Sequence, residues 1–137
     1  MDCIFCKIVK GEINSAKIWE DNDVLVFLDV NPLTKGHCLV IPKQHFENIF
    51  DIDKEILKKV IVATKSISEK IKESLYANGI NIMQANGKNA GQEVVHFHLH
   101  IIPRYENDGL KIHSQRPNNI EKKSFEQLKN LAEKIKL

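Results

Sequence analysis

The stretch Val94-Val95-His96-Phe97-His98-Leu99-His100-Ile101-Ile102 constrains the fold more than any other part of this chain. Successive side chains of a β-strand point to opposite faces, so the alternation predicts a strand with His96, His98 and His100 on one face. Val95, Phe97, Leu99 and Ile101 take the other face, which is wholly apolar and should lie on a helical layer. The histidine face is then the open one. A single histidine there would be an ordinary half-exposed strand residue. Three in strict alternation, half of the six in the chain, point to a site.

Two chemistries compete for that row. One metal ion held by all three histidines is disfavoured by geometry, because at about 3.3 Å per residue His96 and His100 are roughly 13 Å apart at their Cα atoms. The alternative divides the row. A neutral imidazole is a good nucleophile toward phosphorus, and an ordinary pKa near 6.5 keeps it mostly unprotonated at pH 7. A neighbour about 6.6 Å along the strand can reach the same phosphate from another side. The loop ahead of the row, Asn86-Gly87-Lys88-Asn89-Ala90-Gly91-Gln92-Glu93, carries glycines that allow backbone N–H groups to approach an anion. Alone it reads as a hairpin turn.

The rest of the chain sets this strand in an α+β domain. Asp21-Asn22-Asp23 is a turn between two strands, Ile18 to Glu20 and Val24 to Asp29. A third strand, His37 to Ile41, ends at Pro42, which cannot donate to a sheet ladder. Ile52, Ile56, Val60, Ala63, Ile67, Ile71 and Leu75 recur at helical steps and predict a helix over 51–75, capped by Asp51 or Asp53 and stopped by Asn78-Gly79. Strands at Ile80 to Gln84 and Val94 to Ile102 follow, and Ser124 opens a shorter amphipathic helix through Phe125, Leu128, Leu131 and Ile135. The expectation is a five-stranded antiparallel sheet with one long and one or two short helices on one face. The 137 residues make one domain, with the motif-bearing core at 3–104 and a loop and helix at 105–137.

A net charge of +2 suits an anionic small molecule and is too weak to argue for nucleic acid. No apolar run approaches the ~20 residues of a membrane span, and the amino terminus is no signal peptide. Three cysteines, two of them at the Cys3-x-x-Cys6 spacing, fit a reducing compartment and a cytoplasmic protein. That pair reads either as half of a zinc site, with His45 and His96 as candidate partners, or as two buried thiols. Cys38, inside an apolar strand, reads as core.

Asn31-Pro32-Leu33-Thr34-Lys35-Gly36-His37-Cys38-Leu39-Val40-Ile41-Pro42-Lys43-Gln44-His45, followed by Ala90-Gly91-Gln92 and the histidine row through Arg104, resembles the histidine triad (HIT) superfamily. The resemblance covers residues 3 to about 104 and is nearest to the histidine-triad nucleotide-binding branch, whose bacterial-type, zinc-bearing members begin Cys-Ile-Phe-Cys-Lys-Ile. It implies a homodimer with sheets joined across the interface, and hydrolysis of purine nucleoside 5′-phosphoramidates or related mixed anhydrides to a nucleoside monophosphate. By that pattern His98 is the nucleophile that forms a nucleotidyl-histidine. His100 holds the phosphate oxygens, and backbone near Glu93 and Val94 adds donors. Asp29 matches the ribose carboxylate, and Ile4, Phe5, Ile8, Phe27, Val30 and Leu39 match an apolar base pocket. Asn86 and Gln92 fall in the phosphate-side loop, and Cys3, Cys6, His45 and His96 match the ligands of a structural zinc.

The sequence departs from this pattern around the leaving group. Ala85 stands where eukaryotic members have a phosphate-side Asn, with Asn86 next to it, and Glu93 stands where they have Ser. A carboxylate at Glu93 disfavours a highly anionic leaving group and tolerates a cationic amine. Three rival readings follow: a dinucleoside polyphosphate hydrolase, a nucleotide-binding interaction protein with vestigial catalysis, and a metal-dependent hydrolase using the histidine row.

Overall fold

The strands Lys17–Glu20 (β1), Val24–Leu28 (β2), Cys38–Pro42 (β3), Gly79–Met83 (β4) and Leu99–Arg104 (β5) form one antiparallel sheet in the order β1-β2-β3-β5-β4. The computed structural model describes residues 2–112 and 119–137. Helices Ile4–Val9 (α1), Lys54–Leu75 (α2) and Phe125–Ile135 (α3) complete the fold, which is the expected α+β class with a five-stranded antiparallel sheet. Among the described residues no helix is long and apolar enough to cross a membrane.

The near-continuous apolar runs of β2 and β3 are buried on both sides, and each side faces its own helix. Val24, Val26, Cys38 and Val40 pack with Val60, Ala63, Ile67 and Ile71 of α2, together with Phe97, Leu99 and Ile101. Leu25, Phe27, Leu39 and Ile41 pack with Cys3, Phe5 and Ile8 on the opposite face. This corrects the expectation of helices on one face: α2 covers one side and α1 the other. A six-residue helix such as α1 is far below the length that holds itself together in water, and it was not legible as periodicity. Burial of Phe5 and Ile8, together with Cys3 Sγ accepting from the Cys6 N–H, holds it in place.

The histidine row is strand only in its second half. Continuing the β3–β5 register from Val40 opposite Leu99 would set Pro42 opposite Phe97. Proline has no N–H to donate, so the ladder stops and the Phe97 N–H turns instead to the Phe46 carbonyl at 2.7 Å. Residues 94–98 are therefore not the strand expected from alternation, and β5 runs on through Pro103 to Arg104. Phe97, Leu99 and Ile101 do enter the α2 core, whereas Val95 is 54% exposed.

Helix α2 begins at Asp53, whose carboxylate accepts from the N–H groups of Glu55 and Ile56. Asp51 ties the preceding loop by accepting from Glu47 and Asn48. The left-handed stop is Tyr76 (φ 55°), not Asn78-Gly79. Ala77 must be buried, and the Asn78 N–H already pairs with the Arg104 carbonyl to open β4. Helix α3 begins at Ser124 as expected, closed by a reciprocal capping box through Gln127, but it buries none of its residues, so among the described residues its apolar stripe is uncovered.

Gly36 holds the turn before β3 at φ +89°, where a Cβ would run into the Leu75 side chain and press on Pro103. A Gly36→Ala variant should lose about 1–3 kcal/mol of stability through strain and overpacking together. Chemical denaturation checks this, and an unchanged midpoint would show that the turn relaxes freely.

Candidate active site and metal centre

The face expected to be open is roofed by α1. Phe5 packs edge-on against His98, with ring centres 5.2 Å apart at 84°, and against His96 at 5.8 Å. His96 is fully buried, His98 is 8% exposed and His100 is half-buried. Desolvation disfavours the charged imidazolium, so burial lowers the pKa of each histidine in the row, to about 4 for His96 and His100. All three are neutral at pH 7.

The division of the row is visible in hydrogen bonds. His98 Nδ1 lies 2.7 Å from the His96 carbonyl, to which it donates, leaving its Nε2 without a proton. His96 turns the other way: its Nε2–H donates to the Pro42 carbonyl at 2.8 Å and leaves Nδ1 bare. That Nδ1 lies 3.4 Å from Cys3 Sγ, 3.6 Å from Cys6 Sγ and 3.1 Å from His45 Nδ1, and Cys6 Sγ is 3.4 Å from His45 Nδ1. Cys3, Cys6, His45 and His96 thus converge as a possible Cys2His2 metal set. A tetrahedral ion with bonds of about 2.0 Å to nitrogen and about 2.3 Å to sulfur needs edges of about 3.3 Å (N–N) and about 3.6 Å (S–N). The observed spacings fit. The Pro42 carbonyl supplies the outer hydrogen bond that orients a ligating histidine. Without a cation, burial and the adjacent Cys3 push the Cys6 thiol up, so two thiolates there call for a positive partner. Cys38 is core, its thiol pushed up to about 12 by burial.

His100 stands opposite Leu39 on β3 and Met83 on β4, its ring 4.9 Å from that of His98. A further histidine, absent from the residues expected at the site, completes the group: His37, 3% exposed, sits with Nε2 3.0 Å from His100 Nδ1. It lies diagonally across the β3–β5 pairing, a relation that needs the register and is invisible in sequence. Asp29 follows β2; its Oδ1 accepts from the Asn31 N–H, and its Oδ2 lies 3.6 Å from His37 Nε2. Burial lowers the His37 pKa, so this contact is not an ion pair at pH 7.

The expected base-pocket residues separate. Phe5, Ile8, Phe27 and Leu39 share one buried cluster that meets the histidines through Phe5, whereas Val30 is 86% exposed and Ile4 is 49% exposed. Ile4 lines a 440 Å³ cavity with Val94, Cys3, His45 and three carboxylates, Asp2, Glu47 and Glu93. A larger cavity of 530 Å³ lies between Trp19 and α2 and contains no histidine, so size does not locate the chemistry. The Asn86 and Gln92 side chains are committed to the loop. Asn86 Oδ1 accepts from Ile49, Gln92 Oε1 accepts from Gly87, and the Gln92 amide donates to the Glu47 and Val94 carbonyls.

The HIT domain matches residues 10–107. An uncharacterised HIT-like protein of Borreliella burgdorferi is 48% identical over 130 residues, which is 93% of each chain. The crystal structure of a HIT-family member from Bacillus subtilis superposes with a TM-score of 0.89 at 43% identity, covering 98% of this chain and 95% of that one. A zinc-bound histidine triad protein from Mycobacterium smegmatis gives a TM-score of 0.78 at 38% identity over 85% of both chains. Two relatives carry named activities. The adenosine 5′-monophosphoramidase of Saccharomyces cerevisiae is 44% identical over 109 residues, 79% of this chain and 66% of that one. The adenylylsulfatase of Arabidopsis thaliana is 39% identical over 109 residues, 80% and 55% of the two chains. With these likenesses and the buried histidine row, the chain belongs to the HIT family.

Proposed function

We propose that this protein is a nucleotide hydrolase that cleaves purine nucleoside 5′-phosphoramidates, or related mixed anhydrides, through a nucleotidyl-histidine on His98. The observation that carries the reading is the His98 Nδ1 hydrogen bond to the His96 carbonyl, which leaves Nε2 free to attack in a dry, neutral setting. The activities named for the yeast and plant relatives, on adenosine 5′-monophosphoramidate-type and adenylyl sulfate-type substrates, support the substrate class.

In this mechanism His98 Nε2 attacks the α-phosphorus. A nitrogen–phosphorus bond forms to His98, the bond to the leaving amine breaks, and the amine departs with a proton drawn from solvent. Water then cleaves the nucleotidyl-histidine and returns the ring to its starting form. His100 holds the phosphate oxygens, and backbone donors near Glu93 and Val94 share that charge. Asp29 takes the ribose hydroxyls, and the Phe5, Ile8, Phe27 and Leu39 layer, with Ile4 and Val30 at its edge, meets the purine. Asn86 and Gln92 act by shaping the loop that carries those donors, since their own polar groups are already paired. Zinc at Cys3, Cys6, His45 and His96 has a structural role: it fastens α1 over the site. The protein acts as a homodimer joined through an edge of the sheet. The edge strand β4, with Ile82 and Met83 exposed, supports that arrangement. Free Cys3, Cys6 and Cys38 accord with the reducing cytoplasm.

Glu93 is exposed next to Val94 in the acidic cavity, and by the family pattern it falls at the leaving-group side. It favours a cationic amine over a second nucleotide as leaving group. Adenosine 5′-phosphoramidate should therefore be turned over with a kcat/KM at least about tenfold above that of diadenosine polyphosphates, a difference of about 1.4 kcal/mol. Side-by-side kinetics decide the matter, and the reverse order would favour a dinucleoside polyphosphate hydrolase.

A further inference from the structure

We propose that His37 is a positioning residue that fixes the proton of His100 on Nε2, so that His98 and His100 present opposite tautomers to the same phosphate. The Leu33 backbone N–H can only donate, and it points at His37 Nδ1 at 3.0 Å. His37 Nδ1 is therefore an acceptor, and a neutral His37 carries its proton on Nε2. That Nε2–H faces His100 Nδ1 at 3.0 Å, within hydrogen-bond range, while the Asp29 carboxylate at 3.6 Å lies outside it. His100 Nδ1 must then accept. A proton there would set two N–H groups head to head in a buried site, at the cost of an unmade hydrogen bond. A neutral His100 is left with its proton on Nε2.

His98 is fixed the opposite way, since its Nδ1–H donates to the His96 carbonyl. Two histidines whose rings lie 4.9 Å apart are thus made chemically unlike by their buried partners. His98 offers a lone pair for attack, and His100 offers an N–H to phosphate oxygen. Had both shared one tautomer, the site would hold two competing nucleophiles or none. The same chain of donors argues against reading Asp29, His37 and His100 as a second metal set, although their ligand atoms converge. His37 Nε2 would have to give up its proton to bind a cation, and Nδ1 could not take it while the Leu33 N–H points there.

The catalytic consequence rests on the hydrolase reading; the placement of the proton does not. Ring-nitrogen NMR of the 15N-labelled protein tests it without turnover: His100 should show a pyridine-like Nδ1 and a pyrrole-like Nε2. A protonated Nδ1 in the wild type overturns the inference. Variants extend the test. His37→Gln retains an amide N–H toward His100 and should retain the nitrogen pattern with kcat within about tenfold. His37→Glu presents an acceptor, should move the proton to Nδ1, and should lower kcat by about 10²-fold or more, the usual cost of one lost transition-state donor, with KM little changed. Equal impairment of the Gln and Glu variants, with the wild-type nitrogen pattern retained in both, would reduce His37 to a packing residue. If the pattern is as expected and no phosphoramidate is hydrolysed, the hydrolase reading fails alone. If hydrolysis is present and Nδ1 carries the proton, this inference fails alone.

Discussion

Replacing His98 with alanine should lower turnover of adenosine 5′-phosphoramidate by about 10⁴-fold or more while leaving AMP binding within a few-fold of the wild type. The size of the effect follows from the proposed mechanism, in which His98 supplies the bond-forming atom and removing a nucleophile forfeits the covalent route entirely. On the same proposal binding is spared, because the apolar cluster of Phe5, Phe27 and Leu39 and the carboxylate of Asp29, to which it assigns the purine and the ribose, remain. Acid-quenched samples of the wild type should contain a mass increment of one nucleotidyl group on His98. An alanine variant within tenfold of wild-type turnover would end the nucleophile assignment. A variant without turnover that keeps every cellular effect would shift the emphasis to an interaction protein.

If Cys3, Cys6, His45 and His96 hold zinc as proposed, its removal should be the largest stability change. An ion that binds only the folded chain, at a free concentration a thousandfold above its Kd, contributes about 4 kcal/mol. For a domain of this length that corresponds to a fall in Tm of roughly 10–15 °C. Elemental analysis of the purified protein should find about one zinc per chain, and Cys3→Ser or Cys6→Ser should lose it together with the thermal stability. A fully active, metal-stripped but folded sample would also exclude the metal-dependent hydrolase alternative. A protein that binds no metal and melts unchanged in chelator would return Cys3 and Cys6 to the reading of two buried thiols.

How far these residues were legible in sequence depends on the range of the physics involved. The period of α2, the Asp21 turn and the start of α3 at Ser124 are local, and all three emerged as expected, with Asp53 the cap of the two candidates Asp51 and Asp53. The Cys3, Cys6, His45 and His96 set was reached through family resemblance, with spacing alone undecided between zinc and buried thiols; the structure brings the four together. What failed was non-local. The histidine row alternates as a strand should, yet Pro42 on a neighbouring strand ends the ladder at Leu99. The face judged open is closed by α1, a helix too short to leave a period. Val30 and Ile4 are apolar residues that the fold leaves exposed. The loop partners of Asn86 and Gln92 are brought to them only by the fold. His37 stands within the Asn31–His45 motif but has no role assignable from sequence, because only the pairing of β3 with β5 brings it to His100.

Phe5 lies between the two cysteines of the metal set and rests on both His96 and His98. Whatever fastens Cys3 and Cys6 therefore also fixes one wall of the nucleophile's surroundings. Thermodynamic linkage makes such an arrangement reciprocal: if the metal strengthens nucleotide binding by some factor, the nucleotide strengthens metal retention by the same factor. On the proposed function the metal and the nucleotide, though chemically unrelated, then behave as coupled ligands, and a protein loaded with nucleotide would hold its metal more tightly than an empty one.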